Sequence, residues 1–588
     1  MFTNDRDDRW HTQWPRWLTI VILLGAAGWQ CIGAWTDSQT TDEAVHLVAG
    51  YSYLRTNDHR LNPEHPPLVK LLAAAPLLGV KDLAFTPRGE AWDNAEQWGI
   101  GSRLLYRSRP DPRAAQWILL LGRIPVILMT GALIWLVGWW AKKHWGAWAG
   151  VLAAGLLAFD PTILGHGHLV TTDVPLGLAF MATIILLERF LERPTWQRLW
   201  PVAIVFALAQ VTKFSAIILW ILIPLILLIH ASLQSDRTRW TWALRLIGAL
   251  LVITPLIVWP IYGFEVQRFD TDPRVRATLD AALRGESPNA SESPILTSLL
   301  GNLAQPDSVF GSTIQNLRGL PIPAYSYFRG LVETANHNSW GHTAFFLGEV
   351  REFGWVQYFP VAVAMKLPAI TWLALAIGIF FAIRQVFQKR SNGTVSTRFL
   401  VIVVPPLLYL AWSMTSHINI GVRHALPFMV FLPLWAASTV TTPFLRPIRR
   451  QALVVLCFVL ILIGTSLAAW PHTIGYFNWF VGGTRNAPNL IHDSNFDWNQ
   501  DTYRLRDYLD RQRITDFAAA IPGGRTELFF SGARRVPTDP EIDAGNSWRG
   551  PLFITAAVLF DRDNPFRWLW NRTPTTIIGT GIYRFDET

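Results

Sequence analysis

Residues Thr40 to Leu72 read TTDEAVHLVAGYSYLRTNDHRLNPEHPPLVKLL and follow directly on the first long apolar run of the chain. That run ends near Trp35, so the stretch begins where a membrane helix would leave the bilayer. Within a few residues come Asp42 and Glu43. A short amphipathic segment leads on to His65-Pro66-Pro67, and there a new apolar helix opens. Ionisable side chains at a membrane boundary are costly unless water, partners or a task holds them there. Their density here, and their recurrence on the same side further along the chain, points to an active site at the outer membrane face.

The rest of the chain sets the frame. It has 588 residues, 51% of them hydrophobic, with 30 Trp. Apolar runs close to the ~20 residues that cross a bilayer recur along it, with Trp repeatedly at their ends, as in a polytopic membrane protein. The net charge of +9 is spread over short loops. That is the positive-inside bias of membrane proteins and not a basic face for nucleic acid, so no nucleic-acid partner is expected. Cys31 and Cys457 both lie in apolar runs, which excludes a disulfide framework or a Cys-based metal site. The N-terminus carries Arg and Asp ahead of a long run without a small-residue cleavage site, which reads as a retained helix.

Hydropathy and length place about eleven spans, near 17–35, 117–140, 146–159, 169–187, 199–211, 214–230, 242–262, 360–384, 399–413, 424–440 and 452–470. The basic loops Lys142-Lys143, Arg189 to Arg198, Arg237 to Arg245, Arg384 to Arg398 and Arg446 to Arg450 alternate with less basic ones. Putting them inside gives a multi-pass protein of the cytoplasmic (inner) membrane, with a cytoplasmic N-terminus and an extracytoplasmic C-terminal region. Asp42, His65, Asp173, Lys213, Arg423 and His424 then all fall at the outer face. The fold class expected is an all-α polytopic membrane protein. Residues 1–470 form its transmembrane core, with outer loops 36–116 and 263–359, and residues 471–588 form a small α/β outer domain. Charge, Ser and Pro between Asp270 and Pro294 suggest a mobile loop. Short apolar runs separated by turns after Ile514 suggest strands. No fixed-period repeat is evident, which weakens an inverted-repeat transporter.

Asp42-Glu43, His65 to Lys70 (HPPLVK), Arg123 in the second span and Asp173 in the second outer loop together resemble the protein O-mannosyltransferases and their bacterial relatives among the polyprenyl-phosphate-sugar glycosyltransferases. The resemblance covers roughly the membrane half, and Val69 stands where Gly is usual. It implies a GT-C-type membrane fold. It also implies that the Asp of the pair is the base, that the Arg holds the donor phosphate, and that an acidic residue serves in the second outer loop. Eukaryotic members carry a β-trefoil module where this chain has residues 263–359, a loop too short for it, so the resemblance implies nothing about acceptor recognition.

Each candidate has a plainer reading beside it. Glycosyl transfer to an alcohol needs a base, which Asp42 can supply. Glu43 suits acceptor handling, and equally the third helical position of a capping box begun at Thr40. Asp42 and His46, four apart, share a helix face and could hold a divalent cation or only a surface hydrogen bond. His65, kept extended by Pro66, could hold a lipid phosphate or fill a turn. Lys70 is a phosphate ligand or a snorkelling side chain. Arg123 offers a guanidinium fork suited to phosphate, or snorkels. Asp173 organises the acceptor or caps a helix. Lys213, Arg423 and His424 suit phosphate, sugar or a lipid headgroup. The aromatic-rich HNSWGHTAFFLGEVREFGWVQYFP, from His337 to Pro360, suits sugar stacking or an interfacial helix. In HDSNFDWNQDTYRLRDYLDRQ, Asp493, Asp497 and Asp501 mark a cation site or a helix start.

The sequence therefore suggests an inverting, mannosyltransferase-like glycosyltransferase. Its donor would be a sugar on polyprenyl phosphate, since no nucleotide sugars exist at an outer face. Its acceptor would be a hydroxyl of protein Ser/Thr, glycan or lipid, with no certain cofactor and an open metal requirement. A transporter or lipid flippase would place its charges near mid-membrane. A membrane-anchored cell-envelope assembly protein would act through its outer domain.

Overall fold

A computed structural model describes residues 13–108, 113–233, 237–268, 319–388, 397–445, 447–522, 530, 532–543, 545, 548–560 and 564–586. The expected mobile loop from Asp270 to Pro294 lies outside them. The described chain is mainly helical, and seven helices are long and apolar enough to cross a membrane: Trp14–Thr36, Ala114–Trp145, Asp173–Glu192, Phe214–Ser232, Arg237–Ile261, Val422–Thr441 and Ile448–Ala469. Burial orders them. Asp173–Glu192 and Val422–Thr441 are 72% and 83% buried and form the centre, whereas Trp14–Thr36 and Arg237–Ile261 are each 28% buried. The outer helices turn Leu24, Leu251 and Leu256 outward, as lipid-facing surfaces do.

The count differs from eleven because hydropathy reports apolarity, not a straight crossing. Ala147–Ala158 and Thr397–Ser413 are apolar but short, and Trp196–Gln210 has 15 residues, about 22 Å at 1.5 Å per residue. The eighth expected span is two helices, Tyr358–Lys366 and Ala369–Arg384, bent by 110°. Pro368 causes the break: it has no N–H, and it keeps Leu367 extended (φ −72°, ψ 127°). Asn478 satisfies the carbonyls this frees, its amide donating to Ala364 O (2.7 Å) and Leu367 O (2.9 Å).

Close helix contact follows from small residues. A Cβ on Gly150 would lie 2.8 Å from Gly138 O, so the two glycines let Ala147–Ala158 fold back against the end of Ala114–Trp145. Trp140, Trp148, Phe180 and Phe206 fill the core beside them. Polar contacts then mark two ends of the bundle. At one, Lys143 pairs with Glu188 (2.7 Å) and Glu192 (2.9 Å), and Arg239 donates to Leu191 O (2.8 Å). At the other lie Asp42, Asp173, Lys213 and Arg423.

Two short antiparallel hairpins, β1 (Val266–Arg268) with β2 (Pro321–Pro323) and β3 (Ala344–Phe346) with β4 (Glu349–Arg351), belong to the region expected as an outer loop. The helix Tyr325–Trp340 lies between them. The C-terminal region builds a mixed four-stranded sheet from β5 (Ala518–Ala520), β6 (Leu552–Thr555), β7 (Thr576–Ile578) and β8 (Ile582–Phe585), in the order β5-β6-β8-β7. Its first segment does not stand apart. Lys366 donates to Ile474 O (2.7 Å) and to Asn495 O, and Ser38 Oγ donates to Asn499 O (2.7 Å) while accepting from Thr502 N (3.0 Å). Residues 471–502 are thus stitched into the end of the bundle that carries Asp42.

Candidate active site

The stretch Thr40 to Leu72 folds as helix Glu43–Thr56, an extended turn through the prolines, and helix Leu68–Ala74. Glu43 points inward and is fully enclosed. Its carboxylate accepts from Arg123 Nε (2.8 Å), Arg123 Nη2 (2.5 Å), Val170 N (2.9 Å), Thr40 N (2.9 Å) and Thr40 Oγ1 (3.1 Å). The reach-back to Thr40 N is the capping-box contact. Burial pushes the Glu43 carboxyl up, but Arg123 and these hydrogen bonds outweigh it and hold it below its usual range. Arg123 spends its other donors on Ala34 O, Asp37 O and Ser38 O, at 2.8, 2.8 and 3.1 Å. Every N–H of its guanidinium is occupied by protein, and the side chain has no exposed surface. Arg123 therefore has no donor left for a phosphate, and the snorkelling alternative fails as well.

Lys70 is likewise enclosed. Its ammonium donates to Tyr53 Oη (2.9 Å), Asn62 O (2.7 Å) and His65 O (2.7 Å). It fixes the Pro-rich turn from beneath, and with it the backbone of His65. Neither phosphate contact nor snorkelling fits this position.

Asp42 points the other way. Its carboxylate, 21% exposed, meets Arg423 Nη1 at 3.1 Å. The same nitrogen meets Asp173 at 3.2 Å, and Asp173 also pairs with Lys213. Asp173 opens its helix without a side-chain cap of its own; Thr172 holds the cap position and makes none either. Arg423 Nε donates to Ser494 Oγ (3.1 Å), and its guanidinium lies 4.1 Å over the Trp498 ring. Arg423 therefore joins the membrane helices to the start of the C-terminal region. Its Nη2 has no protein partner among the described residues.

These groups border a cavity of about 1110 Å³. Asp42, His65, Lys213, Arg423 and His424 line it; Glu43, Lys70, Arg123 and Asp173 do not. His65 packs edge-on to His46, 5.0 Å between ring centres. Burial, followed by His46, Lys213 and Lys70, pushes its imidazole well below the usual range, so His65 offers hydrogen bonds rather than charge. His46 spends Nδ1 on Val170 O (2.7 Å), and among the described residues no three His, Cys, Asp or Glu side chains gather as a metal's ligands.

Sequence reasoning missed the cavity's outer wall. Ser494, Asn495 and Trp498 hold Arg423 and its neighbours: Asn495 Oδ1 accepts from Val422 N (2.8 Å). Asp493 lines the cavity, its carboxyl pushed up by burial against the pull of Arg423. Asp497 and Asp501 are spent elsewhere, on Ala557 N (3.1 Å) and on Arg504 (2.5 Å) with Thr580 N (2.8 Å). The three aspartates form no cation site, and the helix they precede begins only at Thr502.

The fold and site thus define a multi-pass helical membrane protein with a charged cavity at one end of its bundle. Residues 119–259 match the family of dolichyl-phosphate-mannose-protein mannosyltransferases. Arg123, Asp173 and Lys213 lie within the match. Asp42, Glu43, His65, Lys70, Arg423 and His424 lie outside it. The resemblance drawn from the sequence motifs stands with this match. Among solved structures, the chain is similar to ArnT from Cupriavidus metallidurans bound to undecaprenyl phosphate, at 10% identity and a TM-score of 0.42 over 96% of this chain and 97% of that one. It is similar also to the Archaeoglobus fulgidus oligosaccharyltransferase in its apo form, at 11% identity and a TM-score of 0.46 over 90% of this chain and 60% of that one. No curated protein matches the chain in sequence.

Proposed function

We propose that the protein is an inverting glycosyltransferase that moves a sugar from polyprenyl phosphate to an acceptor hydroxyl at the outer membrane face. The observation that carries this is the pairing of Asp42, a partly exposed carboxylate, with Arg423 on the lining of a cavity that Lys213, held by Asp173, also borders. In this reading Asp42 takes the acceptor's proton. The acceptor oxygen bonds to the anomeric carbon from the face opposite the phosphate, and the carbon–oxygen bond to phosphate breaks. Polyprenyl phosphate leaves with the electron pair.

Charge moves consistently through such a step. Asp42 loses its negative charge as the phosphate gains one, so the Arg423 contact to Asp42 weakens just as the phosphate needs it. The free Nη2 of Arg423, Lys213, the neutral imidazole of His65 and the ring of His424 are the groups that would meet the phosphate, and donors preset in this way act mainly on the transition state. Asp173 serves as the positioning partner of both cations. Glu43 and Arg123 hold the loop that carries Asp42, a role in place of direct donor contact.

The test is transfer from purified protein in nanodiscs, supplied with labelled polyprenyl-phosphate hexoses. Release of polyprenyl phosphate with label passing to acceptor or water supports the reading. Donor moved across the bilayer intact, with no bond broken, would make the protein a flippase and overturn it.

A further inference from the structure

The cavity has two unlike ends. Ile217 and Trp412 line one, and Ile217 is 42% exposed on an apolar helix, so that end faces lipid. The other is walled by Phe345 of the β3–β4 hairpin, by His492 and Asp493, and by Ala557 and Phe560 of the C-terminal region. Arg423 sits at the seam, touching Asp173 on one side and Ser494 on the other.

At the outer end the rings are ordered. Phe345 and His492 stack at 3.9 Å with 4° between their planes, and Phe560 lies 4.8 Å from His492. His492 Nε2 faces Pro488 O at 2.7 Å, which requires the proton there and leaves Nδ1 as an acceptor. Asp493 has one carboxylate oxygen on Ser494 N (2.5 Å), and its other oxygen has no protein partner among the described residues. Its backbone is left-handed, φ 59°, an uncommon state for a side chain other than glycine and one that collects at functional sites.

We infer that this end is the acceptor subsite and that the acceptor is a saccharide, an inference that rests on the glycosyltransferase reading above. Flat apolar ring surfaces beside hydrogen-bond acceptors suit the C–H face and the hydroxyl rim of a sugar ring. Strand addition, the main-chain mode by which an extended polypeptide is held, is closed here. β3, which carries Phe345, has no free edge: β4 pairs on one side, and on the other Phe346 bridges Ile491 and Leu347 N donates to Leu490 O (2.8 Å). A sugar hydroxyl held here would present its O–H toward Asp42 across Arg423. The proton passes to Asp42, the new C–O bond forms, and polyprenyl phosphate departs.

The experiment uses full-length protein in nanodiscs with labelled polyprenyl-phosphate hexose. The acceptors are trisaccharides of glucose, mannose or N-acetylglucosamine, or an unstructured Ser/Thr-rich peptide. Phe345→Ala and Phe560→Ala are compared with the parent. Label on a trisaccharide is expected, with acceptor KM raised at least tenfold in the variants. Donor KM, and the slow transfer of sugar to water, should stay unchanged, which also shows that each variant is folded. Label on the peptide alone, or variants that change donor KM and leave acceptor KM as it was, would overturn the saccharide subsite. Absence of any donor cleavage in the parent would instead overturn the glycosyltransferase reading itself.

Discussion

Replacing Arg123 with Lys separates structural from donor-binding roles at a fully buried charge beside the site. Arg123 makes five hydrogen bonds, two to Glu43 and three to the carbonyls of Ala34, Asp37 and Ser38. Lys brings three N–H donors on a single nitrogen, so at least two of those acceptors lose their partner. An unsatisfied buried polar atom costs ~1–3 kcal/mol, and the variant should therefore lose roughly 2–6 kcal/mol of stability. The loop from Asp37 to Asp42 hangs on these contacts, so kcat should fall as Asp42 loses its position. Donor affinity should hold, because Arg423, Lys213 and His424 line the cavity and Arg123 does not. Thermal unfolding in detergent and donor-binding isotherms read the two effects apart. An unchanged melting temperature with donor affinity weakened tenfold or more would refute the assignment and return Arg123 to the phosphate.

Glu43→Gln should behave similarly, losing about 3–5 kcal/mol as Arg123 is left without its buried counter-charge, read by the same melting experiment. Asp173→Asn should leave Lys213 and Arg423 facing each other with less compensation, and pairing it with Lys213→Met should restore part of the lost stability in a double-mutant cycle. Asp160 caps Pro161–His166 through Thr162 N (2.8 Å), and burial pushes its carboxyl up to about 6 from 3.8. A carboxyl raised on folding contributes stability that is full below its unfolded value and is lost as pH rises through about 6. Asparagine caps equally well, so Asp160→Asn should stabilise the fold at pH 8 by at most about 3 kcal/mol, read as a higher melting temperature, and leave the melting temperature unchanged near pH 4. A C-terminal alkaline-phosphatase fusion should be active, with residues after Pro471 outside; an inactive fusion beside a bright fluorescent one would place Asp42 on the inner side.

How far the sequence reached depends on the distance over which each feature is decided. The apolar runs and the cluster of charges at one end depend on local composition, and the structure places Asp42, His65, Lys213, Arg423 and His424 around one cavity. The capping contact of Glu43 was legible because Thr40 lies three residues away. Its pairing with Arg123, 80 residues on, leaves no local mark, and the same motif that signals a phosphate ligand serves equally for a buried brace. The wall from His492 to Trp498 shows locally only a cation site or a helix start, because its partners, Arg423 and the β3–β4 hairpin, are distant in sequence. Fewer than eleven single helices reach the length of a span because Pro368 turns one of them and others are apolar but short.

The most direct measurement is single-turnover transfer from saturating donor by Asp42→Asn. Asparagine keeps the shape and an acceptor oxygen for Arg423 but cannot take the proton, and loss of a general base costs ~10²–10⁴ in rate. The expected result is a folded protein that binds donor as the parent does and transfers sugar at least ~100-fold more slowly. Transfer at the parental rate would contradict the assignment of Asp42 as the base.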